Sequence, residues 1–490
     1  LMAMRTSTST NTSASTSTSA ATNTVAGAGA RAGAGVGVEI TVLTKAMSAR
    51  AEQGLLRQRH CQQYEKDSII CINGEHYLNF SSNDYLGMRQ HEGVLQSWVE
   101  GLAQFGGGSG ASPLVTGHTQ AHLALEAYIA DGLNREAALL FNSGFSANQA
   151  LCMALFPHMS HPNKSASAGH IIADKLMHAS FLEGAQCVSD SAKLRRFKHN
   201  DLSHLESVLS NVCHSQLSDA VGNSDANQQD ILIASEGVFS MDGDVAPCEG
   251  IAELAAKYNA WFMLDDAHGM GVLGENGFGT AEALNLSQQR APIVMGTFGK
   301  AVGTAGAFIA GSQTLIDYLV NFSKHYVYST AMPPAQAVAT LYSLTHIASD
   351  TARRETLHNN IAYFRDSFQK RFGQTLNSSE KDKAPIEITL GQSQSAIQPI
   401  IVGSPERAIA LSDGLKQRGI WATAIRQPTV PKNQDRLRIT LTSNHTSQDI
   451  DVLLDALELS LNNFLLSETS VEKESDSAVN TPDSVSKKEM

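Results

Sequence analysis

Short apolar runs alternate with stretches of helical spacing along most of the chain. Ala137–Phe141, Ile231–Ala234, Trp261–Leu264, Ile293–Met295 and Ala307–Ala310 are continuous apolar runs of strand length. Ile251, Leu254, Ala255 and Tyr258 follow helical spacing, with Pro247 near the start of that helix, and residues 146–155 also read as helix. Continuous apolar strands interleaved with helices predict an α/β fold around a mainly parallel sheet covered on both faces. No repeat period is present.

Polar residues fall where these strands end. Ala137–Phe141 runs into Asn142-Ser-Gly-Phe145, and Ile231–Ala234 into Ser235-Glu-Gly-Val-Phe-Ser240. Trp261–Leu264 runs into Asp265-Asp-Ala-His-Gly269, and Ile293–Met295 into Gly296-Thr-Phe-Gly-Lys300. Open α/β sheets bind ligands at the carboxyl ends of their strands. Four such ends here carry small, hydroxylic or ionisable side chains together.

An electron-sink cofactor needs a lysine for its aldehyde, an acid beside its ring nitrogen, and backbone N–H groups and hydroxyls for its phosphate. Lys300 lies in a Gly-flanked loop after a strand, three residues past Thr297. Asp265 ends a strand and His268 follows it. Ser143-Gly144-Phe145, between a strand and a helix, suits a phosphate. Taken alone, Lys300 reads as a solvated loop lysine, and Asp265 reads equally as a helix cap. A nucleotide-binding P-loop does not fit, because residue 294 is Val and residue 301 is Ala. Gly106-Gly-Gly-Ser-Gly110 follows a helical stretch, so it is no dinucleotide fingerprint. His158 and His161 lack acidic or Cys companions, so no metal site is expected.

Bulk properties narrow the partners. A net charge of −12 argues against nucleic acid, which needs clustered Lys and Arg. No apolar run approaches the length of a membrane span. The six cysteines form no CxxC pair and read as reduced thiols of a cytoplasmic protein. Residues 1–38, nearly all Thr, Ser, Ala, Asn and Gly, read as a disordered extension; an organelle transit peptide is the other reading. Residues 467–490 read as a disordered, solvated tail, and His158–Gly169 and Ser215–Gln229 as surface loops.

Seven stretches carry a family resemblance: Asn79-Phe-Ser-Ser-Asn-Asp-Tyr-Leu-Gly87, Ser143-Gly-Phe-Ser-Ala-Asn148, Asp174-Lys-Leu-Met-His-Ala-Ser180, Glu236-Gly-Val-Phe-Ser-Met-Asp-Gly243, Asp265-Asp-Ala-His-Gly269, Thr297-Phe-Gly-Lys300 and Tyr328-Ser-Thr-Ala-Met-Pro-Pro334. In this order they resemble the α-oxoamine synthases, pyridoxal-phosphate (PLP) enzymes of the aspartate-aminotransferase fold type. Ser395-Ala-Ile-Gln-Pro399, Thr423-Ala-Ile-Arg-Gln-Pro-Thr-Val-Pro431 and Arg436-Leu-Arg438 look most like the members that join L-alanine to a pimeloyl thioester.

The resemblance implies fold type I, with a mainly parallel seven-stranded sheet in a large domain over 85–335. A smaller α+β domain would combine 39–84 with 336–466, and two copies would form a homodimer. Lys300 would carry PLP and act as base, Asp265 would meet the ring nitrogen, and His268 and Ser240 would meet the ring hydroxyl. His178 would stack on the ring. Thr297 and the backbone of Gly144 and Phe145 would hold the phosphate, with Thr330 of the second subunit. Arg438 would bind the alanine carboxylate, Arg57 the distal carboxylate of pimeloyl-CoA or pimeloyl-acyl carrier protein, and Thr429 another part of the substrate. Met270, Pro113-Leu114 and Gln427 depart from the family pattern. A sister reaction of glycine or serine with another acyl-CoA, an aminotransferase, and a silent partner subunit are the rival readings.

Overall fold

Along Ile231–Glu236, Ile231 and Ile233 enter one apolar cluster, while Leu232 and Ala234 enter a second on the opposite face. That alternation is the pleat of a strand covered on both sides, and it explains why the strand reads as an unbroken apolar run. The protein is seen here as a computed structural model that describes residues 41–53, 55–156, 169–219, 230–373 and 388–479. Two compact units divide at His60/Cys61. In the first, the described helix Thr41–Glu52 buries none of its residues.

The second unit begins with β1 (Gln62–Lys66), β2 (Ile69–Ile72) and β3 (Glu75–Asn79). Next come β4 (Ala137–Phe141), β5 (Gly169–Asp174), β6 (Ala192–Phe197), β7 (Ile231–Glu236), β8 (Trp261–Asp265), β9 (Ile293–Thr297) and β10 (Ala307–Gly311). The last are β11 (Thr389–Leu390), β12 (Ile397–Ile401), β13 (Ile420–Trp421), β14 (Thr423–Ile425) and β15 (Arg436–Thr440).

The central sheet has seven strands in the order β4-β10-β9-β8-β7-β5-β6. Only β10 runs against its neighbours. The fold is therefore the expected α/β type I architecture with a mainly parallel sheet. Two four-stranded sheets flank it in sequence, β1-β2-β3-β13 and β11-β12-β15-β14. The parallel register pairs Glu236 with Asp265 and Asp265 with Met295, so the chemistry-bearing strand ends share one edge of the sheet.

Several boundaries differ from the sequence reading. The helix after β4 starts at Gly144, and β7, β8 and β9 extend to Glu236, Asp265 and Thr297. The tail read as solvated from 467 is helical as far as Val479, within a helix that starts at Ser447. Between those ends there is no Gly or Pro, and Glu, Lys and Leu favour helix. Ser215–Asp219, read as loop, ends the helix Leu202–Asp219. The extension 1–38 and most of both loops lie outside the described residues. Among the described residues, no helix is long and apolar enough to cross a membrane.

Candidate active site

Lys300 sits in the connection between β9 and β10. The loop is stapled by Phe298 N–H to Gly306 O (3.0 Å), Gly303 N–H to Lys300 O (2.8 Å) and Thr304 N–H to Phe298 O (2.9 Å). Gly303 has φ +73°, and a Cβ there would lie 2.3 Å from the Arg89 backbone nitrogen, so only glycine closes this turn. Loss of water around the Lys300 amine pushes its pKa down to about 8, against the pull of the Asp265 and Glu236 carboxylates. A neutral amine is therefore accessible near physiological pH.

Asp265, at the end of β8, is buried. Its Oδ1 accepts from Ala267 N–H at 3.1 Å and its Oδ2 from Asn148 Nδ2 at 3.0 Å. The same Asn148 nitrogen donates to Ser180 Oγ at 3.0 Å. Ser180 Oγ lies 2.8 Å from His178 Nδ1, which also accepts from Ser180 N–H at 3.2 Å. His178 caps the helix Ala179–Cys187; the residue is exposed, and its bond to Ser180 is part-buried. Partial loss of water lowers its pKa, opposed by Asp265 and assisted by Lys300.

The helix Gly144–Leu155 begins where β4 ends. A reciprocal cap closes its start: Ser143 Oγ accepts from Ser146 N–H at 3.1 Å, and Ser146 Oγ accepts from Ser143 N–H at 3.2 Å. Gly144 and Phe145 are its first two residues and have no intrahelical acceptor for their N–H groups. A Cβ on Gly144 would come within 2.7 Å of Thr297 Cγ2, so the glycine lets the helix start approach the end of β9. Thr297 Oγ1 is buried and, among the described residues, has no hydrogen-bond partner.

On the other side, His268 Nδ1 meets Tyr85 Oη at 2.6 Å. Burial holds the His268 pKa well below its usual value and raises that of Tyr85 to about 12, so both are neutral at pH 7. Arg438 donates to Ser240 O (2.8 Å), Thr440 Oγ1 (2.9 Å) and Asn83 Oδ1 (3.1 Å), and among the described residues it has no carboxylate partner. Its charge also reaches Lys300 and His268. Glu236, buried at the end of β7, accepts from Ser240 N–H at 3.2 Å; burial, with Asp265 beside it, raises its pKa well above the carboxylate range.

The fold thus gathers Lys300, Asp265, His178, His268, Ser240, Thr297, Gly144, Phe145 and Arg438 at one sheet edge. Thr330 and Thr429 are exposed; the Thr330 carbonyl accepts from Asn142 Nδ2 at 2.9 Å. Arg57 is exposed in the other compact unit, beyond the end of the Thr41–Glu52 helix. Met270 is buried, whereas Leu114 is exposed in the turn Pro113–Gly117. Asn148, Ser180, Tyr85, Asn83 and Glu236 belong to the site although the sequence reading gave them no role. All five lie inside the quoted motifs, which was the only signal available for them.

These residues suit PLP. The partnerless Thr297 hydroxyl and the helix start offer a phosphate cradle. Asp265 offers a carboxylate, and Lys300 an amine close to neutrality.

The model of the family "Aminotransferase class I and II" matches residues 75–457. The 8-amino-7-oxononanoate synthase of Vibrio campbellii is 41% identical over 419 residues, covering 86% of this chain and 97% of that protein. The solved 8-amino-7-oxononanoate synthase of Francisella tularensis is 28% identical, with TM-score 0.61, over 79% of this chain and 98% of that one. A Sphingomonas wittichii serine palmitoyltransferase is 25% identical, with TM-score 0.71, over 86% and 96%. Both overlays show the shared fold, and the 41% identity is to an 8-amino-7-oxononanoate synthase. The chain belongs to the class I and II aminotransferase family and, within it, to the 8-amino-7-oxononanoate synthases, which are PLP-dependent acyltransferases.

Proposed function

We propose that this enzyme condenses L-alanine with a pimeloyl thioester, releasing carbon dioxide and the free thiol. The product named in its relatives is a nine-carbon chain with an amine next to a ketone. A seven-carbon diacid thioester joined to a three-carbon amino acid, less one carbon as carbon dioxide, gives that chain. The observation that carries the amino-acid half is Arg438, a buried cation without a carboxylate partner among the described residues, placed within electrostatic reach of Lys300.

PLP, when bound, supplies an aldehyde for covalent attachment and an electron sink for charge at the alanine Cα. Lys300 Nζ would carry the cofactor and, as a neutral amine, would serve as the base for the alanine Cα proton. The Asp265 carboxylate keeps the ring nitrogen protonated. Thr297 Oγ1 and the Gly144 and Phe145 N–H groups hold the phosphate, with Thr330 of a second subunit. His178 would stack on the ring, and His268 and Ser240 would contact its hydroxyl region. Arg438 orients the alanine carboxylate, and Arg57 and Thr429 meet the acyl chain.

A homodimer in the cytoplasm completes the reading. Its support is the helix Glu92–Phe105, which buries Val94 and Gly101 yet presents Leu95, Val99 and Leu102 outward at 49%, 59% and 46% exposure. A second outward apolar stripe at helical spacing suits a second copy. The test of substrate choice is Arg57→Ala. A distal carboxylate held by a charged hydrogen bond, worth about 1.5–3 kcal/mol, predicts a roughly ten- to hundredfold higher KM for pimeloyl-CoA. The alanine-induced absorbance change should be intact. An unchanged KM assigns Arg57 to the solvated surface.

A further inference from the structure

Asn148 uses one side-chain nitrogen twice. Its Nδ2 donates to Asp265 Oδ2 and to Ser180 Oγ, both at 3.0 Å, and the residue is 1% exposed. Ser180 is equally buried. The directions of these bonds are forced. His178 Nδ1 accepts the Ser180 N–H, so it carries no proton. The Ser180 hydroxyl, 2.8 Å from that nitrogen, must then donate to it and accept from Asn148. Asn148 Oδ1 has no partner among the described residues, and turning the amide over would set that oxygen against the Asp265 carboxylate. The chain of donors therefore has one orientation.

We propose that Asn148 is a positioning residue that ties the Asp265 and His178 sides of the cofactor site together, aligning the Asp265 carboxyl as an acceptor and, through Ser180, fixing His178 with its proton on Nε2. Asn148 lies four residues after Gly144 on the helix whose start forms the phosphate cradle. One helix thus carries both the anion-binding start and the residue that bonds Asp265 and, through Ser180, His178. The inference rests on the PLP-site reading given above, and it adds a residue to which that reading gave no role.

Two readouts on the holoenzyme test it, and neither is turnover. The first is Kd for L-alanine, followed by the absorbance change of bound cofactor. The second is the pH at which that absorbance undergoes its transition. Asn148→Ala should raise the alanine Kd roughly tenfold, the size of one or two lost hydrogen bonds. Ser180→Ala should raise it less, and the double variant should match Asn148→Ala alone, because both act through one chain. Asn148→Asp keeps the shape but sets a second carboxylate against Asp265. It should shift the absorbance transition by roughly one pH unit or more, a shift that Ser180→Ala does not produce. Independent, additive losses from Asn148→Ala and Ser180→Ala would overturn the relay. So would an Asn148→Asp transition at the wild-type pH, and this arm decides if the alanine variant does not fold. Wild-type absorbance that ignores L-alanine strikes at the choice of amino acid, and the pH arm still judges Asn148.

Discussion

Arg436 and Arg438 point to the same face of β15, yet among the described residues only Arg436 has a counter-charge. Arg436 Nη1 meets the Asp242 carboxylate at 2.5 Å, whereas Arg438 bonds only neutral acceptors. The first arginine is built into the fold, and the second is left to bind an anion. Arg438→Ala should raise the KM for L-alanine roughly ten- to hundredfold while moving Tm little. Arg436→Ala should do the reverse, lowering Tm by stranding Asp242. Steady-state kinetics and thermal melts on both variants check the split; equal effects on KM would contradict it.

Lys300→Ala should still bind PLP, but borohydride should no longer fix the cofactor to the protein, and turnover should fall by several orders of magnitude. The lowered lysine pKa adds a pH dependence. The neutral amine is the reactive form, so cofactor loading of the apo-protein should accelerate as pH rises through about 8 and level off above it. Stopped-flow absorbance across that range measures this, and loading that slows with rising pH would refute the assignment.

Asp265→Asn should cost catalysis far more than stability. The amide keeps the shape and still accepts from Ala267 N–H, but it cannot hold positive charge at a ring nitrogen. A loss of roughly a hundredfold or more in kcat is expected, with Tm close to wild type. Unchanged kcat in a loaded variant would show that the counter-charge lies elsewhere.

His199 supplies a pH effect on stability. Its Nδ1 meets Asp174 Oδ1 at 3.0 Å and its Nε2 meets Asp244 Oδ2 at 2.7 Å. Burial opposes its charge, but the two carboxylates outweigh that and raise its pKa to about 10. A raised histidine pKa stabilises the fold fully below the unfolded value of 6.5, and the benefit is lost as pH climbs through about 10. The Tm gap between wild type and His199→Gln should therefore be widest at or below pH 6.5 and should close towards pH 10. A gap that widens with pH would reverse the argument.

Much of this was legible in the chain, for identifiable reasons. β4, β7, β8, β9 and β10 are buried on both faces and read as unbroken apolar runs. β6, Ala-Lys-Leu-Arg-Arg-Phe, escaped because it is an edge strand whose Lys193, Arg195 and Arg196 face solvent. Asp265 and Lys300 were legible because strand ends mark a ligand edge. Asn148 and Ser180 were not, since a hydrogen bond across more than a hundred residues, such as Asn148 to Asp265, leaves no trace in local spacing. The helix through Val479 was hidden by a polar composition that serves a solvated helix as well as a loose tail.

The most direct test follows carbon dioxide from L-alanine labelled at its carboxyl carbon, mixed with purified enzyme, PLP and pimeloyl-CoA. The account predicts one labelled carbon dioxide for each free thiol, none with Lys300→Ala, and slower reaction with glycine or serine. Thiol release with glycine and acetyl-CoA, or with serine and a long-chain acyl-CoA, together with no labelled carbon dioxide from alanine, would contradict it.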